Sequence, residues 1–198
     1  QVHGAALTPT SQELMTPEEL ETLISARRSN LLIDASREVD SALVDRIVTS
    51  AQWAPNHKRT WPLRIAVITG NSRRTLGDTI ADAMAVHGDD EMKVTKTRGK
   101  FMRSPIVIVV ASAEGATPNE TEENKYAVAA GVQNMLLMTE SFGLAALWGS
   151  PAKGANNAIT GLCSMESTDH VMGIIYLGWP TQSVAAPLRP NINITRLT

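Results

Sequence analysis

The chain contains one cysteine, Cys163, among 198 residues. An intramolecular disulfide is therefore impossible, and a cluster of thiolate metal ligands is excluded as well. A reducing compartment fits this usage, and Cys163 within Gly161-Leu162-Cys163 reads as a small buried residue. The four histidines, His3, His57, His87 and His170, have no ligand spacing, so no metal site is expected. No apolar run is long enough to span a bilayer, and the first residues lack a charged-then-apolar leader, so the expected location is the cytoplasm. Neither sign of charge dominates. With a net charge of −2, a nucleic-acid-binding basic surface is not expected. No Gly-x-Gly-x-x-Gly follows an apolar run, which argues against a separate Rossmann-type nucleotide site. Aromatic residues make up only 4%, but four of them are tryptophan, so their positions carry information.

Hydrophobic residues make up 43% of the chain, the share of an ordinary folded domain with a sizeable core. The chain is organised around Ala54-Pro55-Asn56-His57-Lys58-Arg59-Thr60-Trp61-Pro62-Leu63. Pro55 ends the preceding helix at Ala54, and Pro62 constrains the entry to the next strand. Between them stand three groups that can be cationic and one flat ring. Such a loop suits an anionic, aromatic ligand; the competing reading is a solvated basic turn. Upstream, residues 1–15 form a polar, aperiodic arm. Thr16, Pro17, Glu18 and Glu19 then start a helix that runs to about Ala26. Arg27-Arg28-Ser29 follows it. Arginines are ordinary at a helix C-terminus, but the guanidinium forks and a hydroxyl also make a phosphate grip.

Asp40 caps a second helix, from Ser41 to about Trp53, whose apolar face is Leu43, Val44, Ile47, Val48 and Ala51. Leu63 to Thr69 reads as a strand, and a helix capped by Asn71 or Ser72 runs to about Val86. Asp89 to Met102 is charged and reads as a solvated helix or a mobile excursion. Pro105 to Ala111 is an unbroken apolar run, expected to be a strand covered on both faces. Asn119 or Thr121 is expected to cap a long helix to about Phe142, apolar almost all round from Tyr126 to Met138 and therefore buried, either as a central core helix or as one shared with a second subunit. A short strand, Leu144 to Leu147, leads into Trp148-Gly149-Ser150; a helix over Ala152 to Cys163 and a strand over Val171 to Leu177 follow. The residues thus predict an α+β domain, residues 16–180, with a mixed sheet of about four strands between two helical layers. The tail, residues 181–198, is too polar to fold alone and is expected to lie along another surface.

Three pieces, Ala26-Arg27-Arg28-Ser29, Ala54-Pro55-Asn56-His57-Lys58 and Phe142-Gly143 to Trp148, recur in order with Tyr176-Leu177-Gly178. On these motifs the sequence, from about Leu20 to Pro180, resembles the nitroreductase family of FMN-dependent oxidoreductases, in particular its small single-domain bacterial members. The resemblance implies a three-layer fold with a mixed or antiparallel sheet of four to five strands. It also implies an intertwined homodimer with FMN at the subunit interface, and a tail packed on the partner. Mapped by motif, Arg27, Arg28 and Ser29 would hold the phosphate and ribityl groups. His57, Lys58 and Trp61 would reach FMN from the other subunit, and Trp148, Gly149 and Ser150 would line the same cofactor.

The implied activity is hydride transfer from NAD(P)H through FMN to a nitroaromatic, quinone or similar acceptor. The flavin carries the chemistry, so no catalytic side chain is assigned. Donor and acceptor would use one site in turn, with ping-pong kinetics. The sequence departs from relatives at Trp61, where Gln or Glu is common, at Leu63, where Trp is common, and at Gly149, where some carry Arg. Lys153 or Arg189 is the candidate to replace that Arg, and Arg189 is expected as a further phosphate contact. Two other readings remain open at this point. One is a flavin enzyme with a specific substrate, whose lid would be Asp89 to Met102. The other is a flavin-binding or redox-sensing protein without turnover.

Overall fold

The computed structural model describes residues 15–198, so the expected N-terminal arm, all but its last residue, lies outside the described part. Six helices and four strands follow in the order α1 (Pro17–Ala26), α2 (Ser41–Ser50), β1 (Leu63–Ile68), α3 (Ser72–His87), α4 (Glu91–Lys100), β2 (Ile106–Ser112), α5 (Pro118–Ser141), β3 (Ala145–Gly149), α6 (Asn156–Leu162) and β4 (His170–Gly178). The strands form one sheet in the order β1-β2-β4-β3. All three pairings are antiparallel, so of the mixed or antiparallel sheet that was expected the antiparallel form is the one found. The only parallel pairing among the described residues is a single bridge, Ser29 to Ala146, along the outer edge of β3.

β2 explains the layers. All seven of its residues are buried. Val107, Val109 and Ala111 join a core with Leu76 and Ile80 of α3 and Val94 of α4. Ile106, Ile108 and Val110 point the other way, into a core with Val44 and Ile47 of α2 and Val128, Val132 and Met135 of α5. A period of two on a strand buried on both faces reads as an unbroken apolar run, as the sequence suggested.

Local signals account for most helix ends. Thr16 and Glu19 form a reciprocal capping box at α1, with Thr16 N–H donating to Glu19 Oε2 at 2.8 Å. Asp40 caps α2 by accepting from Ala42 N–H at 2.9 Å. The cap of α5 is Thr117, not Asn119 or Thr121, and Pro118 occupies the first turn where its missing N–H costs nothing. The last turn expected of α2 is a tight 3₁₀ turn over Ala51–Trp53. α6 starts at Asn156, four residues later than the sequence suggested. The charged segment from Asp89 to Met102 is mostly α4, packed on α3 with Val94 and Thr97 buried. Arg98 joins it to Asp82 at 2.7 Å and Asp78 at 3.4 Å, so this segment is part of the body and not a free lid.

Within one chain α5 is buried on one face only. Tyr126 is 68% exposed, while Val128, Val132 and Met135 are buried. α5 also sets the position of the turn that precedes the organising loop. Gly131 lets the backbone of Ala51 approach closely: a Cβ at Gly131 would lie 3.0 Å from the Ala51 carbonyl oxygen. Gly131→Val should therefore push the 51–53 turn off α5 and cost about 1–3 kcal/mol, an overpacking effect read by urea denaturation. Unchanged stability would mean that the contact has slack.

Candidate functional site

The loop between α2 and β1 is strained and strongly anchored. Lys58, Arg59 and Trp61 all have positive φ, at 57°, 55° and 50°. Residues with a Cβ rarely adopt this region, and each costs of order 1–3 kcal/mol unless its surroundings hold it. The holding group is Asn56. Its Oδ1 accepts from Trp61 N–H at 2.9 Å, and its Nδ2 donates to Thr60 Oγ1 at 3.0 Å. Thr60 in turn donates to Asn124 Oδ1 on α5, and Asn124 Nδ2 donates to the Ala113 carbonyl at 3.2 Å. Asn124 is 2% exposed. Neither Thr60 nor Asn124 was singled out from the sequence. Asn124 stands among Glu120, Glu122, Glu123 and Lys125, so nothing in its neighbours marks it as buried.

Two of the loop's cations face the start of α5. His57 Nδ1 lies 2.8 Å from Glu123 Oε2, and Lys58 Nζ lies 4.0 Å from Glu120 Oε2. The hydrogen bond from His57 holds the Glu123 carboxyl below the usual glutamate value, with help from Asn119 and Lys58. Trp61 is 64% exposed. With Ala54, Asn56, Pro62, Leu63 and Val128 it lines a largely apolar cavity of about 200 Å³.

The arginines lie elsewhere on the same chain. Arg27 and Arg28 line a cavity of about 720 Å³ with Gln133 of α5, Leu188 and Arg189. No carboxylate lines it. Arg28 donates from Nη1 to the carbonyls of Ser25 and Arg27, while its buried Nε has no partner among the described residues. Asn30 and Ser29 then run along β3: Asn30 N–H donates to the Ala146 carbonyl at 2.9 Å. His57 meets α5 at Glu123, and the arginines meet it at Gln133. At roughly 1.5 Å per residue the two groups are separated by about 15 Å along the helix. One chain therefore brings Arg27, Arg28 and Arg189 together but keeps His57, Lys58 and Trp61 apart from them.

Trp148, Gly149 and Ser150 do not act as one patch. Trp148 lies on the α5 side of the sheet, where its Nε1–H donates to the Met172 carbonyl at 3.3 Å. Gly173 makes room for this ring, because a Cβ there would fall inside the indole. The bulge in β4, where the register shifts between Val110 and Ala111, brings Gly173 under it. Gly149 faces the opposite side, and with Ser150 it lines a cavity against α3 and α4. Gly173 is a further contributor that the sequence reading missed. Cys163 is half-buried, and burial pushes its thiol pKa up, which suits a packing role and not a nucleophile.

The sequence model of the Nitroreductase family matches residues 15–179. The chain belongs to that family. YdjA of Escherichia coli K12, whose name assigns it provisionally to the NAD(P)H nitroreductases, is 24% identical over 164 residues, 82% of this chain and 88% of YdjA. The fold matches a nitroreductase-like family protein from Bacillus cereus with a TM-score of 0.77 at 23% identity, covering 96% of this chain and 99% of that one. It also matches a nitroreductase with bound FMN from Bacteroides fragilis, with a TM-score of 0.71 at 18% identity, covering 90% and 99%.

Two expectations follow for this family member. Gly173→Ala should displace the Trp148 indole. Its N–H resonance, assigned with Trp148→Phe, should shift or broaden; an unmoved resonance would place the ring elsewhere. The hydrogen bond that the Glu123 carboxylate shares with His57 should stabilise the protein above the ordinary glutamate pKa and lose that contribution as pH falls through the depressed value. Glu123→Gln should therefore be less stable than the parent at neutral pH and match it in acid. A difference that persisted in acid would assign the effect to packing.

Proposed function

We propose that this chain is an FMN-dependent oxidoreductase. It takes hydride from NAD(P)H and passes it to a flat acceptor such as a nitroaromatic or quinone. The observation that carries the proposal is the cavity at Arg27, Arg28 and Arg189: three guanidinium groups and an amide, with no carboxylate in the lining. Guanidinium forks without a protein anion fit a phosphate dianion, and the unpartnered Nε of Arg28 is a donor still available. These residues fit FMN. When bound, FMN would supply the hydride-accepting and hydride-donating chemistry.

The chain's own groups do the rest. Arg27, Arg28, Ser29 and Arg189 hold the phosphate and ribityl end. Trp148 borders the ring from the end of β3. His57 and Lys58 supply positive charge that favours an anionic reduced ring. Trp61 and the apolar cavity beside it exclude water and offer a stacking surface to the acceptor. Donor and acceptor use this surface in turn, giving ping-pong kinetics.

The separation of about 15 Å between the two cationic groups supports a homodimer, in which the loop of one copy reaches the arginines of the other. Exposed apolar side chains support the same assembly: Leu20 and Ile24 on α1, Tyr126 on α5, and Leu188, Ile192 and Leu197 in the tail. Residues 16–180 then form the cofactor-binding domain, and residues 181–198 pack on the partner.

The test is the visible spectrum of the purified protein, before and after anaerobic NADH and then NADPH. Bleaching of the flavin band is expected with at least one donor. Bound flavin that stays oxidised with both would leave a binding protein without turnover. Arg27→Ala should weaken FMN binding about 10- to 100-fold, the worth of one charge-assisted hydrogen bond. Retention equal to the parent would overturn the phosphate assignment.

A further inference from the structure

Trp61 leads into β1 through Pro62, and the carbonyls of all three residues from Trp61 to Leu63 are engaged. Pro62 accepts from Ala113 N–H at 2.8 Å. Trp61 and Leu63 both accept from Nη1 of Arg64, each at 3.1 Å. Successive strand residues face opposite sides, so Arg64 stands on the face that Ala66 shares with α3 and α4, while Leu63 and Ile65 pack towards α2 and α5. Its guanidinium turns back on the loop and also reaches the far end of the sheet: Nε lies 3.9 Å from Oδ2 of Asp169, just before β4.

Asp169 is a fixed point. It is 2% exposed, and its Oδ2 accepts from Glu166 N–H at 3.0 Å. Its carbonyl accepts from Asn156 Nδ2 of α6 at 3.0 Å, and Asn156 Oδ1 accepts from Val171 N–H at 2.9 Å. A carboxylate buried this far is costly unless a cation meets it. Among the described residues Arg64 is the only cation within ion-pair reach of it. A guanidinium can serve the carboxylate and the loop together, because its donors are spread over three nitrogens in a rigid fork; an ammonium has one nitrogen.

Trp61 therefore has both backbone polar groups held from different sides. Asn56 takes its N–H from within the loop, and Arg64 takes its carbonyl from the sheet. Its φ of 50° is a conformation that a residue with a side chain leaves when its surroundings let go. We propose that Arg64 is a positioning residue: anchored on the buried Asp169 carboxylate, it holds the Trp61 carbonyl and so fixes the indole that the acceptor stacks on. Arg64 acts through Trp61 and not on the reacting atoms. The proposal rests on the acceptor-stacking role given to Trp61 above.

The experiment combines the indole N–H resonance of Trp61, assigned with Trp61→Phe, with steady-state kinetics on a quinone. Arg64→Lys keeps a cation for Asp169 but cannot serve both partners. The resonance should shift or broaden, and the acceptor KM should rise about 3- to 10-fold with kcat little changed, the worth of one net hydrogen bond. A counter-ion role alone would move neither, so an unmoved resonance in Arg64→Lys would overturn the proposal. So would an acceptor KM raised by Trp61→Ala but not by Arg64→Lys. A moved resonance with KM unchanged in both variants would instead overturn the acceptor role of Trp61, which separates the two failures. Should Arg64→Lys fail to fold, Asp169→Asn decides: it keeps an acceptor for the Glu166 N–H, releases the guanidinium, and should broaden the same resonance. An unmoved resonance there would overturn the proposal.

Discussion

The buried amide of Asn124 is the point on which the proposed site depends. It lies inside α5, and both its polar atoms are engaged, one with Thr60 and the other with Ala113. A buried amide without these bonds would cost several kcal/mol, so the loop, the helix and the strand end after β2 are locked to one another. Through Thr60 the lock extends to Asn56, and through Asn56 to the left-handed backbone that projects Trp61 outward. The strain of three positive-φ residues is sustained because polar bonds hold the loop at both ends and ion pairs to Glu120 and Glu123 hold its middle. A loop held this firmly presents its ring and cations in one geometry before any ligand arrives, which lowers the ordering cost of binding.

The basic residues of the two motifs fall into two kinds. His57 and Lys58 face carboxylates on their own chain and are partly neutralised there. Arg27, Arg28 and Arg189 surround a space without a carboxylate. The second arrangement is unfavourable in isolation, since like charges repel, and it becomes favourable when an anion joins them. That contrast sets these three arginines apart from an ordinary basic surface, and it is invisible in a net charge of −2.

β3 and β4 divide the molecule's surfaces. Successive residues of a strand face opposite sides, so Trp148 serves the α5 side and Gly149 the side of α3 and α4. The bulge in β4 and the missing side chain of Gly173 let the indole settle against the strand. One short motif thereby faces both sides of the sheet, and its Gly149 and Ser150 line a cavity on one of them.

Much of the fold was legible in the sequence because its signals are local. Thr16 and Pro17 announce α1, Asp40 announces α2, and the run from Pro105 to Ala111 announces a strand buried on both faces. Caps, proline stereochemistry and hydrophobic period act over a few residues, so they survive without tertiary context. The motif residues Arg27, Arg28, His57 and Trp148 were legible as chemistry. Their arrangement was not. Strand direction depends on which segments meet across the sheet, and the antiparallel order β1-β2-β4-β3 is a long-range outcome. The cap of α5 passed to Thr117 because Pro118 fits the first turn. The roles of Asn124, Gly131 and Gly173 arise from contacts with residues far away in the chain. Local chemistry along the chain specifies the elements and the groups they carry. Which groups share a cavity is set by helix and strand packing between distant segments, and that packing has no local signal.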